Sequence, residues 1–283
     1  MSCDAPPRTR RTCNAFPYGY LRSCVSVGNL EFGGQLTPRR FFEPPPKDVP
    51  VDVVLSVAQL SHKYEVQHLR HRSILHIERN YSMDMDTFIS RSLGTRDGKF
   101  QDPWFLGLET LLDIIVTATY INALWVLPAA YYHCSDMTPS HTLRDTSSWN
   151  SPQRATVLRN IMVGTINLEI MDVALGDLLG TPPCPECLHR EKCALDKLET
   201  AQVCRLSITE RKPASRKAHT LVSWWNRKWL KEGCCVGLCS PCSSACMSAY
   251  ESARGDYWDK IPSAFNLPSW KELKLLRESD FSE

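Results

Sequence analysis

From about residue 53 onward the hydrophobic positions recur at helical spacing. Val53, Val57, Leu60 and Tyr64 step by three and four, and Val66, Leu69, Ile77 and Tyr81 repeat the step after a break near Glu65. That pattern predicts a helical hairpin. A loop carrying Gly94, Asp97, Gly98 and Pro103 should lead into an apolar helix from near Trp104 to about Asn122. Pro128 should then start or kink a short helix reaching Cys134, because proline fits a first helical turn and not an interior. Ser151 and Pro152 make an N-cap and first-turn pair for a further helix, with Val157, Leu158, Ile161, Met162 and Thr165 as its buried stripe. No alternating series marks a strand and no internal repeat is visible. The fold class expected is therefore mainly α, an irregular helical array with a cysteine-rich C-terminal module.

The same pattern divides the chain. Residues 1–40 combine Pro6, Pro7, Pro17 and Pro38 with Gly28, Gly33 and Gly34 and show no sustained period, so a poorly ordered segment is expected there. Phe41-Phe42-Glu43-Pro44-Pro45-Pro46 reads as a stiff, extended polyproline lead-in. A helical region over 41–134 follows, then a linker over 135–151 rich in Ser, Thr, Asp and Pro, then a helical, cysteine-rich region over 152–283. Leu111 to Tyr131 is apolar enough to raise a membrane span, but Asp113, Asn122 and Pro128 interrupt it and no basic cluster flanks it. It reads instead as a buried helix pair, with Trp125 as a core anchor between Leu124 and Val126.

Charge changes this picture little. With 33 basic and 31 acidic side chains the net charge is +2, which excludes a polyanion-binding tail or an acidic solvating chain. None of G-x-x-x-x-G-K, G-x-S-x-G, H-E-x-x-H or G-x-G-x-x-G occurs, so a protein that is not an enzyme is expected. His62, His68, His71 and His76 lie six, three and five residues apart, a spacing that spreads them over different helix faces. They read as solvated or boundary residues and not as metal ligands. His133 and Cys134 are helix neighbours about 100° apart, so packing explains them better than a catalytic pair.

Cysteine does change the picture. Of 13 cysteines, nine lie between Cys184 and Cys246. The N-terminus has no apolar signal-peptide core, which favours an intracellular, cytoplasmic or nuclear, reducing setting, and makes the sequon Asn80-Tyr81-Ser82 a chance match. Thiols there pack as small apolar groups or bind metal. Cys184-Pro-Glu-Cys187 and Cys239-Ser-Pro-Cys242 are both C-x2-C pairs, whose turn geometry aims two thiolates at one ion, so together they could supply a tetrahedral Zn²⁺ site. Cys193 competes for a ligand place. Between the clusters runs a basic stretch over 205–231, including Arg211, Lys212, Arg216, Lys217, Arg227 and Lys228, with Trp224, Trp225 and Trp229 interleaved. Phosphate contact and base stacking by a zinc-stabilised module are the alternative function it suggests. A solvated helix with a tryptophan stripe toward the core is the plainer reading, so nucleic acid is not the partner expected.

Four ordered pieces carry a resemblance. They are Leu60-Ser61-His62-Lys63-Tyr64-Glu65-Val66-Gln67-His68-Leu69-Arg70, Ala123-Leu124-Trp125-Val126-Leu127-Pro128-Ala129-Ala130-Tyr131-Tyr132, Gly237-Leu238-Cys239-Ser240-Pro241-Cys242, and Tyr257-Trp258-Asp259-Lys260-Ile261-Pro262-Ser263-Ala264-Phe265-Asn266-Leu267-Pro268-Ser269-Trp270. Over about residues 41–276 the chain resembles the C-terminal part of BTB/POZ domain proteins of mushroom-forming fungi. Only about fifty residues precede the first piece where a BTB core needs roughly a hundred, so the core is expected to be truncated or missing. The resemblance implies an adaptor that binds a protein partner. It also implies metal ligands at Cys187, Cys193, Cys239 and Cys242, with Cys184 as the alternative, and one structural Zn²⁺ as cofactor.

Overall fold

Proline and small residues decide where the helices start and how closely they pack. The computed structural model describes residues 42–96, 108–135, 152–177, 181–209 and 237–282, and among these there are nine α-helices and no strand. The helices are α1 (Val51–Lys63), α2 (Gln67–Asn80), α3 (Met85–Arg96), α4 (Leu108–Tyr120), α5 (Leu127–Ser135), α6 (Pro152–Asp177), α7 (Arg190–Thr209), α8 (Ser240–Ala264) and α9 (Trp270–Ser282). A short 3-10 turn, Leu124–Val126, leads into α5. Residues 1–41, the expected helix start near Trp104 and the linker residues 136–151 lie outside the described part.

The core is built around α4 and α5. Leu111, Leu112, Ile114, Ile115 and Ala118 are buried on α4, and α5 is buried nearly all round, as a helix enclosed by neighbours must be. α5 packs on α4, α6 and α8, while α1 packs on α2 and α4. Trp125 is 1% exposed and its indole N–H donates to Glu78 of α2. That carboxylate also takes a forked pair from Arg277 of α9, at 2.7 and 3.0 Å. Arg70, itself buried, donates to Asp280 at 2.9 Å and to the carbonyl of Ile121 at 2.8 Å. Two charged contacts therefore fasten α9 along α2. No described helix is long and apolar enough to cross a membrane.

Several local features differ from the pattern along the chain. The α1–α2 hairpin exists, turning at Glu65 with φ 57°, but α1 buries Val54, Leu55, Ala58 and Ser61 and leaves Val53, Leu60 and Tyr64 exposed. Small side chains at Ala58 and Ser61 let α1 lie close to its neighbours, and a search for large apolar residues passes over them. The proline run is not an extended rod. It turns at Pro45-Pro46, where the peptide bond is cis, and Lys47 pairs with Glu43 at 2.9 Å. Arg72, His76 and Arg79 on one face of α2 donate to the carbonyls of Phe42, Glu43 and Pro46 at 3.1, 2.8 and 2.8 Å. His76 is thus buried rather than a boundary residue, its ring nitrogen donating to the carbonyl of half-buried Glu43.

On α6 the buried line is Val157, Ile161, Gly164 and Leu168. Met162, expected inside, is 54% exposed. Gly164 sits against the ring of Phe265 just beyond α8; an added Cβ would lie 2.9 Å from the ring Cγ and closer still to Cδ1 and Cε1. Asn167 ties the same two helices by donating to the Ala264 carbonyl at 2.9 Å.

Candidate metal centre

Two short segments far apart in sequence meet at the cysteines. In the first, Cys184-Pro-Glu-Cys187 folds as a tight turn closed by the Cys187 N–H on the Cys184 carbonyl at 3.0 Å, and Cys193 follows in the first turn of α7. In the second, Cys239 is the N-cap of α8, with extended backbone at φ −64° and ψ 159°, and Pro241 occupies the first helical turn. Proline costs nothing there, since the N–H it lacks would have no intrahelical acceptor. Cys242 is one turn inside, and the Ser243 N–H closes on the Cys239 carbonyl at 2.9 Å.

The sulfurs of Cys187, Cys193, Cys239 and Cys242 all lie within 4.8 Å of one another. A Zn–S bond of about 2.3 Å gives a tetrahedron with edges of about 3.8 Å. The Cys187–Cys239 separation of 3.7 Å is such an edge. Cys184 is a fifth thiol, its sulfur 3.5 Å from that of Cys242. All these cysteines are free thiols, half-buried at Cys184, Cys187 and Cys239 and buried at Cys193 and Cys242.

Backbone amides prepare the site for negative sulfur. N–H groups of Cys242 and Leu188 point at the Cys239 sulfur and lower its pKa to about 6, which favours its thiolate form. The Cys239 N–H in turn reaches the Cys193 sulfur at 3.4 Å. Without a metal, loss of surrounding water and then the Cys242 thiol push Cys187 up to about 12, and the same causes raise Cys184. Packing several sulfurs together is therefore unfavourable for their charged forms until a cation joins them.

One buried cation lies on the same helix as Cys193. Four thiolates around a divalent ion would carry a net charge of −2. Arg190 and Lys192, near in sequence, are exposed, and Lys231 lies outside the described residues. Lys197 is the buried one, at 5% exposure, one helical turn after Cys193 on the same face of α7. Its ammonium donates to the Thr181 hydroxyl at 3.4 Å and the Pro182 carbonyl at 3.2 Å, holding the segment that leads to Cys184. Sequence reasoning missed it, although its i+4 spacing from Cys193 was available as a signal.

The other candidates separate from this site. Cys246 is buried in the main core, and full burial pushes the Cys134 thiol up, which makes it an inert packing group. The four histidines do not converge: His62 meets Tyr120 edge-on, His71 stacks on Phe281, His76 holds Glu43 and His68 is exposed. Arg211, Lys212, Arg216, Lys217, Arg227 and Lys228 all lie outside the described residues, as do Trp224, Trp225 and Trp229. Comparison of the chain with protein-family models, with curated proteins and with solved structures finds no match.

Proposed function

We propose that the protein is a non-enzymatic, BTB-type adaptor-like interaction protein whose C-terminal module is closed by one structural Zn²⁺ on Cys187, Cys193, Cys239 and Cys242. The observation that carries the interaction reading is the outer side of α6. At 100° per residue, Met162, Val163, Ile166 and Ile170 fall within one arc of about 100°. All four are exposed, Ile170 at 64%, while Val157, Ile161, Gly164 and Leu168 face inward. A helix apolar on two opposite sides uses one for its own core and leaves the other for a partner. Leu195 and Leu198 form a further exposed apolar pair on α7, which packs beside α6. The adaptor class comes from the sequence resemblance. Zinc is the ion that four clustered thiolates with N–H donors suit best, and its role here is to tie the start of α7 to the start of α8.

Ile166→Asp with Ile170→Asp tests the interaction reading. Both are surface changes, so stability should move by about 0.5 kcal/mol or less, while capture of protein partners from cells should fall at least tenfold. Unchanged capture would overturn it.

A further inference from the structure

The fifth thiol has no place in a four-ligand site, yet its sulfur lies 3.5 Å from a ligand sulfur. We propose that Cys184 and Cys242 form an oxidant-sensitive pair that closes to a disulfide and thereby releases the metal. This rests on the zinc reading above.

The pair stands out on geometry. A disulfide needs sulfurs about 2.05 Å apart, so about 1.5 Å of approach is required. Cys184 opens a surface turn whose next two residues, Pro185 and Glu186, are exposed, whereas Cys242 is held inside a helix. The turn can supply the movement. Cys187 and Cys239 are almost as close, at 3.7 Å, but each would bind the ion, so joining them breaks two metal–sulfur bonds. Joining Cys184 to Cys242 breaks one.

The oxidant is a hydroperoxide. Whichever sulfur of the pair it reaches first attacks the terminal peroxide oxygen; the O–O bond breaks, and a sulfenic acid and water (or an alcohol) result. The partner sulfur then attacks the sulfenic sulfur, the S–S bond forms and hydroxide leaves. The two sulfurs together lose two electrons and the peroxide gains them. Cys242 has by then left the ion, which keeps only three thiolates.

The test uses the full chain, purified without chelator and with its zinc content measured first, then treated with hydrogen peroxide. Zinc release is followed with a chromogenic chelator, and non-reduced peptide mapping identifies the disulfide. The expected result is a Cys184–Cys242 disulfide formed in step with zinc release and reversed by a thiol reductant plus zinc. Cys184→Ser should retain zinc and release it at least tenfold more slowly. A different first disulfide, an unchanged release rate in Cys184→Ser, or a Cys184→Ser protein isolated without zinc would each overturn the proposal. If the parent protein holds no zinc the metal reading fails by itself, and the mapping still decides whether Cys184 and Cys242 pair.

Discussion

Gly164→Ala sets two effects of opposite sign against each other. In a helix interior, glycine to alanine gains about 1 kcal/mol, from propensity and from the smaller entropy of the unfolded chain. Here the new methyl would overlap the Phe265 ring, whose Cγ lies 2.9 Å from its position. Phe265 is fully buried and stacks on Tyr131 at 5.2 Å with 18° between the planes, so the ring has no free space to enter. Overpacking of this kind costs about 1–3 kcal/mol and sometimes more. The net expectation is a loss of up to about 2 kcal/mol, or up to about 8 °C in Tm for a chain this size. Thermal and urea unfolding of Gly164→Ala, Phe265→Ala and the double variant would measure it. Phe265→Ala alone should cost about 3–5 kcal/mol. In that background Gly164→Ala should turn neutral or stabilising, because the ring it struck is gone. A rise in Tm for Gly164→Ala with Phe265 intact would refute the reasoning.

Three other outcomes follow from the same structure. Trp125→Ala should cost about 3–5 kcal/mol, measured by urea unfolding, since it empties a core site and removes one of the partners of Glu78; equal stability would contradict the burial. Asp84 accepts the Thr87 N–H at 2.8 Å at the start of α3, and Thr87 holds its pKa below 3.8, so its contribution is present above that value and lost as pH falls through the lower folded value. Asp84→Ala should accordingly destabilise by about 1 kcal/mol at pH 7 and converge with the parent in strong acid; a gap that persists there would count against the cap. Lys197→Met should weaken zinc binding in chelator competition by about threefold to tenfold, by removing a buried cation one helical turn from Cys193, where four thiolates around Zn²⁺ would carry a net charge of −2; unchanged affinity would show that the ammonium serves only Thr181 and Pro182.

What the sequence disclosed was the local part of the fold. Periodicity located the hairpin, the α4–α5 pair and the start of α6, because those features depend on residues within a turn or two of each other. The two C-x2-C pairs pointed to the metal region for the same reason. Contacts between distant residues were not legible. Nothing near His76 announces that it serves a carbonyl 33 positions earlier, and nothing near Gly164 announces an aromatic ring at Phe265. The buried face of α1 was not legible, because Ala58 and Ser61 work by being small, which a hydrophobic stripe does not register. α6 misled in a different way, since its apolar residues cover two sides and periodicity alone does not say which is inside. Cys193 shows the limit at the site itself: spacing favoured Cys184, the resemblance implied Cys193, and the fold gathers both around the same sulfurs.

The most direct test of the central claim is elemental analysis of the full chain purified without chelator, run beside Cys239→Ser and Cys242→Ser. One zinc per chain is expected in the parent. Little or none is expected in either variant, because a serine hydroxyl does not ionise near neutral pH and is a poor zinc ligand. A parent protein without stoichiometric metal, or variants that keep their zinc, would contradict it.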